Sequence, residues 1–408
     1  MSFIADFHIH SKYSRATSRD MEIPNLDKAA QIKGIDLVGT GDFTHPFWRA
    51  HLKKFLSPVE EGIYRYKRTF FILTSEVSSI FYRNGKLRKI HIVIFAPDFE
   101  VAEKVSEKLG KFGDLYSDGR PTLKLDARDL VRIVLDVSDR CLIVPAHVWT
   151  PWFSLFGANS GFDSVEECFE DMTDYIYALE TGLSSDPAMN WQISSLDRFT
   201  LISNSDAHSP HNLAREANVF SRKVNYSEIR EILMNKDRSL FLYTLEFFPQ
   251  EGKYHWDGHR KCGVSLSPDE AIKNKNICPK CKDKLTIGVM HRVRDLADRE
   301  ENFIPPSAIP FKRVVPLREI IAEALNEGVD SRSVVETYMR VVNHYKGEIN
   351  VLLNIPIRDL SGFIPQRVVE GIERVREGKV KIRCGYDGVY GKVSIFDEKK
   401  GDKQLSLF

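Results

Sequence analysis

Asp6-Phe7-His8-Ile9-His10 is the stretch from which the rest of the chain takes its order. The residues from Phe3 onward form a short apolar run, so they read as a β-strand that ends in two histidines. Strand side chains alternate between faces, so His8 and His10 project from the same face, where two imidazole nitrogens can reach one metal ion. Taken alone, such a pair is equally compatible with a half-buried polar couple. Its meaning depends on whether other strands end in matching ligands.

They do. Apolar runs at residues 3–8, 35–41, 70–77, 90–95, 141–146, 176–180, 199–203 and 240–245 read as strands. Between them, residues 25–33, 99–109, 127–135, 165–172, 189–196 and 226–235 carry helical periodicity. Alternation of this kind across residues 1–249 predicts a parallel α/β fold, a barrel or a doubly wound sheet. Asp42 follows Leu-Val-Gly-Thr-Gly, Glu76 follows Leu-Thr-Ser, His91 follows Lys-Ile, His147 follows Val-Pro-Ala, and Asp206-Ala-His208 follows Ser-Asn-Ser. Each polar residue stands just after a strand. The C-terminal strand ends of a barrel converge on one mouth, so this placement favours the barrel. A satisfied polar position explains any one of these residues; it does not explain eight of them at the same end of successive strands. Together they can hold two or three divalent ions (Zn²⁺, Mn²⁺ or Mg²⁺), with a carboxylate such as Glu76 bridging. Cations so placed activate water for in-line attack on phosphorus and neutralise the developing charge. The chain shows no Ser/His/Asp or Cys/His nucleophile set and no phosphate-binding glycine loop of the Walker type.

The remainder divides by composition. Residues 250–295 read as a zinc-binding module, because His259-Arg-Lys-Cys262 and Cys278-Pro-Lys-Cys281 have the spacing of paired zinc knuckles. His255 and His291 are alternative fourth ligands. Four protein ligands leave no open position, so this ion, a Zn²⁺, is structural. The lysines and arginines around it can lie against phosphates or simply face solvent. Residues 296–396 read as a mainly helical domain, with helices at 317–326, 331–344 and 366–377 and a closing β-hairpin at 379–396. Residues 397–408 are polar and read as a flexible tail. The loop after His147 carries Trp149, Trp152, Phe153, Phe156 and Phe162. Trp149 and Trp152 are candidates for stacking on an unpaired base, or the loop only caps the barrel.

Of the 408 residues, 42% are hydrophobic and 28% charged, which is ordinary for a globular protein. Fifty-eight Lys and Arg against 57 Asp and Glu leave no global basic field, so nucleic-acid contacts must come from local patches. The six cysteines, three of them clustered, do not form a disulfide framework, and a reducing, cytoplasmic location follows. No signal-peptide pattern opens the sequence, and no apolar run approaches the roughly 20 residues that span a bilayer.

The set His8, His10, Asp42, Glu76, His91, His147, Asp206 and His208 resembles the PHP (polymerase and histidinol phosphatase) family of metal-dependent phosphoesterases. The resemblance implies a distorted (βα) barrel in which His8, His10, Glu76 and Asp206 hold one metal and Glu76, His91 and His147 a second. It also implies a third site at His208 with Asp42 or a neighbour. Two departures fall on that third site. The family's Thr-Asp-His step is here Thr40-Gly41-Asp42-Phe43-Thr44-His45, which makes His45 a possible substitute ligand, and Ser14-Arg15 stands where a further ligand is usual. The last five residues, Gln404-Leu405-Ser406-Leu407-Phe408, resemble the pentapeptide by which bacterial proteins dock on the replication sliding clamp.

Barrel, zinc module, helical domain and clamp tail, in that order, resemble the endonuclease Q family. That resemblance implies a DNA repair endonuclease cutting 5′ to deaminated bases (uracil, hypoxanthine, xanthine) and abasic sites. The competing readings are a small-molecule phosphatase, a 3′–5′ exonuclease and, without catalysis, a clamp-tethered DNA-binding module.

Overall fold

A computed structural model describes residues 2–396, so the clamp-like motif at 404–408 lies outside the described residues. Phe3–Asp6 is a buried strand, as its apolar run requires. It pairs in parallel with Leu37–Gly39 and antiparallel with Ala217–Phe220. From this centre an eight-stranded mixed sheet extends through Thr69–Ile72, Ile63–Tyr66 and Ser57–Glu60 on one side, and Phe241–Glu246 and Phe311–Arg313 on the other. A four-stranded sheet holds Thr122–Leu123, Thr74–Arg83, Lys86–Phe95 and Leu142–Pro145, and Ala178–Glu180 pairs in parallel with Thr200–Ile202.

These ladders are separate, yet they wrap around one interior. Alternate residues of each strand, among them Ala5, Leu37, Ile72, Val93, Val144, Ala178, Ile202 and Phe220, meet in a single buried cluster. Their neighbours, such as Ile4, Val38, Ile94 and Ile143, pack outward beneath the helices. That is the period-two signature of a barrel wall, apolar on both faces. Phe7 sits inside it, edge-on to Phe95 with ring centroids 5.5 Å apart.

The wall departs from the expected parallel alternation at residues 70–77. The chain breaks at Leu73, and the second piece runs Thr74–Arg83 antiparallel to Lys86–Phe95. Asn84 (φ 54°) and Gly85 (φ 73°) turn the chain between them. A two-residue turn with both φ values positive matches strand twist, and Asn-Gly is its preferred sequence. The outer parts of the arms mix Ser78, Ser79, Arg83, Lys86, Arg88 and Lys89 with Ile80, Phe81, Tyr82 and Leu87, so they carry no clean strand pattern.

The expected helices at 99–109 and 226–235 form as Phe99–Leu109 and Tyr226–Asn235. Asp98 caps the first through Val101 N, and Asn225 with Glu228 makes a capping box on the second. Helices Leu317–Leu325, Arg332–His344, Glu348–Leu353 and Gln366–Arg376 bury Leu317, Ile320, Val341 and Val368 in the same core as the outer barrel wall. Lys33 of the barrel ends 2.7 Å from Glu348, a buried carboxylate that also accepts from Leu317 N and Tyr338 Oη. The expected hairpin forms between Lys381–Arg383 and Lys392–Ser394. It folds back on the start of the zinc module, with Trp256 N donating to Gly385 O.

Candidate metal centre

The first strand carries His8 and His10 into the barrel mouth with both rings already oriented. Nδ1 of His8 lies 3.0 Å from each oxygen of Glu180, and Nδ1 of His10 lies 3.0 Å from Oδ1 of Asp42. An acceptor at Nδ1 places the ring proton there and leaves the lone pair on Nε2, the arrangement typical of metal-binding histidines. Nε2 of both rings and Oδ1 of Asp206 are buried atoms without a hydrogen-bond partner. Buried polar atoms are rarely left so. These three, with Glu76, bring one ligand atom each within 4.8 Å of one another. Glu76, His91 and His147 form a second group meeting the same limit, with Glu76 Oε1 2.8 Å from His91 Nδ1 and 3.1 Å from His147 Nε2. The donor set therefore fits two divalent ions with Glu76 shared between them.

Charge supports this fit. Burial alone lowers an imidazole pKa, yet Glu180 and Glu76 raise that of His8 well above its ordinary value, and Asp42, Asp206 and Glu76 do so for His10. Burial pushes Glu76 up, but His91, Arg120 and His8 hold its carboxyl far below the usual range. Asp206 is likewise held low by His10 and His8 against its burial. For His91 burial wins over the pull of Glu76, and its pKa falls to about 4, so the ring is neutral. Metal binding here displaces protons from His8 and His10.

The backbone is bent to make this convergence. Asp42, His147 and Asp206 have φ of 49°, 30° and 46°, the left-handed region that non-glycine residues avoid. Such strain concentrates at functional sites. His147 is held by a 2.8 Å bond from its N–H to Glu180 Oε2, and Gly182 packs so close that a Cβ there would overlap His147. Glu180 thus orients two ligands at once.

Asp42 and His208 lie outside both groups. Asp42 Oδ2 accepts from Ser11 N, Ser11 Oγ and Ser14 Oγ at 2.6, 2.6 and 2.8 Å, so its carboxylate is fully engaged in holding His10. His208 packs against His10 with centroids 4.5 Å apart and ring planes tilted by 47°, and its Nδ1 bonds the Asp206 carbonyl at 2.8 Å. His45 does not substitute: its Nδ1 accepts from Trp48 N, and its Nε2 donates to Tyr116 O at 3.1 Å. The third ligand set expected at these residues is therefore not assembled among the described residues.

Two residues that the sequence did not single out complete the mouth. Glu180 ends the strand Ala178–Glu180 and was readable as one more polar strand end. Arg120 was not readable, because it lies in the loop between Phe99–Leu109 and Thr122–Leu123, away from any strand end or motif. Its Nη1 is 3.0 Å from Glu76 Oε2.

A third group lies within residues 250–295. His259, Cys262, Cys278 and Cys281 offer ligand atoms within 4.8 Å of one another. His291 is instead bound to Asp257, 2.6 Å away, and His255 is buried elsewhere with Nδ1 unpartnered. Of the two aromatic candidates, Trp149 is 1% exposed and its indole N–H donates to Asn190 Oδ1, so it packs the barrel and offers no stacking face. Trp152 is 43% exposed, 5.1 Å from the ring of Tyr254 in the zinc module.

The wrapped α/β wall and the paired His/carboxylate groups define a PHP-type metal-dependent phosphoesterase. The chain is similar over 99% of its length to the lesion-specific endonuclease PfuEndoQ from Pyrococcus furiosus, at 33% identity, 98% coverage of that chain and a TM-score of 0.88. It therefore belongs to the endonuclease Q family. A structure of endonuclease Q in complex with a 27-mer duplex carrying an abasic lesion at the active site matches at 33% identity and TM-score 0.86, covering 99% of both chains. Residues 316–379 match the family model of the MJ0043 C-terminal domain. The uncharacterized protein MJ0043 of Methanocaldococcus jannaschii is 33% identical over 259 residues, 62% of this chain but only 32% of that protein's length. YqxK of Bacillus subtilis is 26% identical over 410 residues, covering 95% of this chain and 98% of that protein.

Proposed function

We propose that this chain is a metal-dependent DNA repair endonuclease that cuts the phosphodiester on the 5′ side of damaged nucleotides, namely deaminated bases (uracil, hypoxanthine, xanthine) and abasic sites. The observation that carries the reading is the pair of ligand groups sharing Glu76 at the mouth of a fold that matches lesion-bound endonuclease Q end to end. His8, His10, Glu76 and Asp206 would hold one divalent ion and Glu76, His91 and His147 another. Bound there, such ions supply Lewis acidity to the phosphate oxygens and lower the pKa of attacking water. Glu180 and Asp42 fix the imidazoles in the metal-ready tautomer. Arg120 offers a permanent positive charge for a non-bridging phosphate oxygen. Trp152 and Tyr254, at the junction of barrel and zinc module, are suited to stack on a base taken out of the duplex. Unpairing costs least at a mismatched or damaged base, which supplies selectivity. The His259, Cys262, Cys278 and Cys281 set would hold a structural Zn²⁺. Residues 404–408 are proposed to tether the enzyme to the bacterial sliding clamp. The substrate and the reduced thiols accord with the cytoplasm, and no helix among the described residues is long and apolar enough to cross a membrane.

The test is an end-labelled duplex carrying a single deoxyuridine, deoxyinosine or abasic site, with Mn²⁺ or Mg²⁺. A single nick immediately 5′ to the lesion, absent with Asp206→Ala, is expected. Equal cutting of undamaged DNA, resection from a free end, or activity only on small phosphate monoesters would overturn the reading. Deleting residues 404–408 should abolish clamp capture while leaving nicking of a short duplex intact.

A further inference from the structure

The loop that carries Arg120 to Glu76 takes part in a second pair of exposed aromatic rings. Phe47, in the first turn of helix Pro46–Phe55, is 60% exposed, and Tyr116, in the loop that also carries Arg120, is 63% exposed. A lone exposed aromatic needs no explanation. Here two of the most exposed large hydrophobic side chains among the described residues stand together, with ring centroids 5.8 Å apart at 76°. An edge-to-face pair covers one edge and one face and leaves the remaining ring faces open to solvent.

The pair is rigidly tied to the metal centre. Behind it Tyr13 stacks on His45 with centroids 4.4 Å apart, and His45 donates to Tyr116 O, so backbone and ring stack hold the loop together. Gly119 of the same loop bonds Tyr13 O and packs so tightly on Asp42 and Ser14 that a Cβ there would overlap both. One residue on, Arg120 reaches Glu76. A single loop thus sets an exposed ring on the rim and a guanidinium on the metal cluster, a few residues apart. Arg15, whose Nε is 3.3 Å from Asp118, adds charge to the same rim.

Exposed aromatic faces beside arginines are the chemistry of single-stranded nucleic-acid binding: rings take bases by stacking while cations take phosphates. A base inside a duplex has both faces covered; only an unpaired one offers a face. Resting on the nuclease reading above, we infer that Phe47 and Tyr116 form a stacking platform for an unpaired nucleobase of the substrate, one that neighbours the phosphate held at the metal cluster.

The test uses the full chain with Asp206→Ala, which binds without cutting. A deoxyuridine duplex is prepared with 5-iododeoxyuridine at single positions around the lesion in either strand, irradiated, and the cross-linked peptide is identified by mass spectrometry. Cross-links to Phe47 or Tyr116 are expected from one or two adjacent positions. In the same background the double change Phe47→Ala with Tyr116→Ala should weaken binding of the lesion duplex by about tenfold or more. Phe47→Tyr with Tyr116→Phe should restore it, which a loss of folding would not allow; melting temperature and zinc content report folding directly. Affinity within about twofold of the parent, or cross-links confined to other residues, overturns the platform. If the parent binds lesion and undamaged duplexes equally, the nuclease reading itself fails, and the platform with it.

Discussion

Arg120 Nη1 stands 3.0 Å from Glu76 Oε2, the oxygen that also faces His10 Nε2 at 3.2 Å. The guanidinium therefore shares a carboxylate with the metal ligands. Glu76 raises its pKa further against the effect of burial, so it is charged at every working pH. None of its nitrogens is a buried orphan, and the side chain is 27% exposed, so its remaining donors are open to the mouth.

Arg120→Ala is expected to lower kcat/KM for lesion-strand nicking by about 10²–10³-fold, the usual loss for a donor aimed at developing charge. Arg120→Lys should recover only part, because an ammonium keeps the charge and loses the planar fork. Metal content measured on the same samples should be unchanged. A variant that loses metal in step with activity would make Arg120 a support for Glu76 and nothing more.

Asp42 belongs to neither ligand group, but it sets the proton position on His10 through Nδ1. Removing an orienting partner of this type typically costs 10–100-fold in metal affinity. Asp42→Asn should show a loss of about that size in a metal titration followed by calorimetry. An unchanged affinity would mean that Ser11, Ser14 and Asp42 serve only the turn they close.

The residues that converge in the two groups were legible because their signal is local: a short apolar run followed within a few residues by His, Asp or Glu. His8, Glu76, His147 and Asp206 all carry it. What sequence could not tell was which strand-end residues point at a metal and which point at another ligand. Asp42 and His208 share the pattern but lie outside both groups, where Ser11, Ser14 and the Asp206 carbonyl engage them. Trp149 and Trp152 are three residues apart in one loop, yet one fills the core and the other faces solvent. Arg120 and Tyr116 were invisible because a loop placed by long-range packing, here Gly119 against Asp42, leaves no periodic trace. The sheet order was equally hidden, since beyond the hairpin Thr74–Arg83 pairs with Thr122–Leu123 and Lys86–Phe95 with Leu142–Pro145, both across intervening helices or loops.

A buried pair below the mouth predicts a pH effect on stability. Glu216 and Glu246 lie opposite each other, next to the paired residues Ala217 and Leu245, and both are fully buried. Burial and the charge of Glu246 raise Glu216 well above the ordinary carboxyl value; burial and Asp186 raise Glu246. A carboxyl raised on folding contributes its full stability below the unfolded value of 4.5 and loses it as pH rises through the folded value. Glu216→Gln removes one titrating group and keeps the shape. Relative to the parent it should gain about 1–3 kcal/mol at about pH 9 and much less at about pH 5, read by thermal melting in matched buffers. A gain equal at both pH values would show that the two carboxyls do not hold a proton at neutrality.

The zinc module should depend on its ion far more than the barrel does. Its own core is Val264, Ala271, Cys278 and Leu285, with Leu266 and Cys262 alongside. Burying a Val or Leu contributes about 1.5–3 kcal/mol each, so these side chains supply only a few kcal/mol. Ordering even the six residues of the hairpin Asp257–His259 and Val264–Leu266 costs more, at about 1–2 kcal/mol per residue. A structural zinc contributes an apparent 10 kcal/mol or so and closes the gap. The ligand chemistry agrees: burial raises the Cys278 thiol, but the N–H groups of Cys281 and Lys280, with the Cys281 and His259 side chains, bring it down to about 6, close to a thiolate at neutral pH. Cys278→Ser should therefore lose one zinc per chain and abolish hydrogen-exchange protection at residues 257–285. The strands Phe3–Asp6 and Leu142–Pro145, in the separate barrel core, should stay protected. If protection in the module survives with the zinc gone, the hairpin is held instead by its contacts with Gly385 and Asp387, and the cysteine cluster is not what folds it.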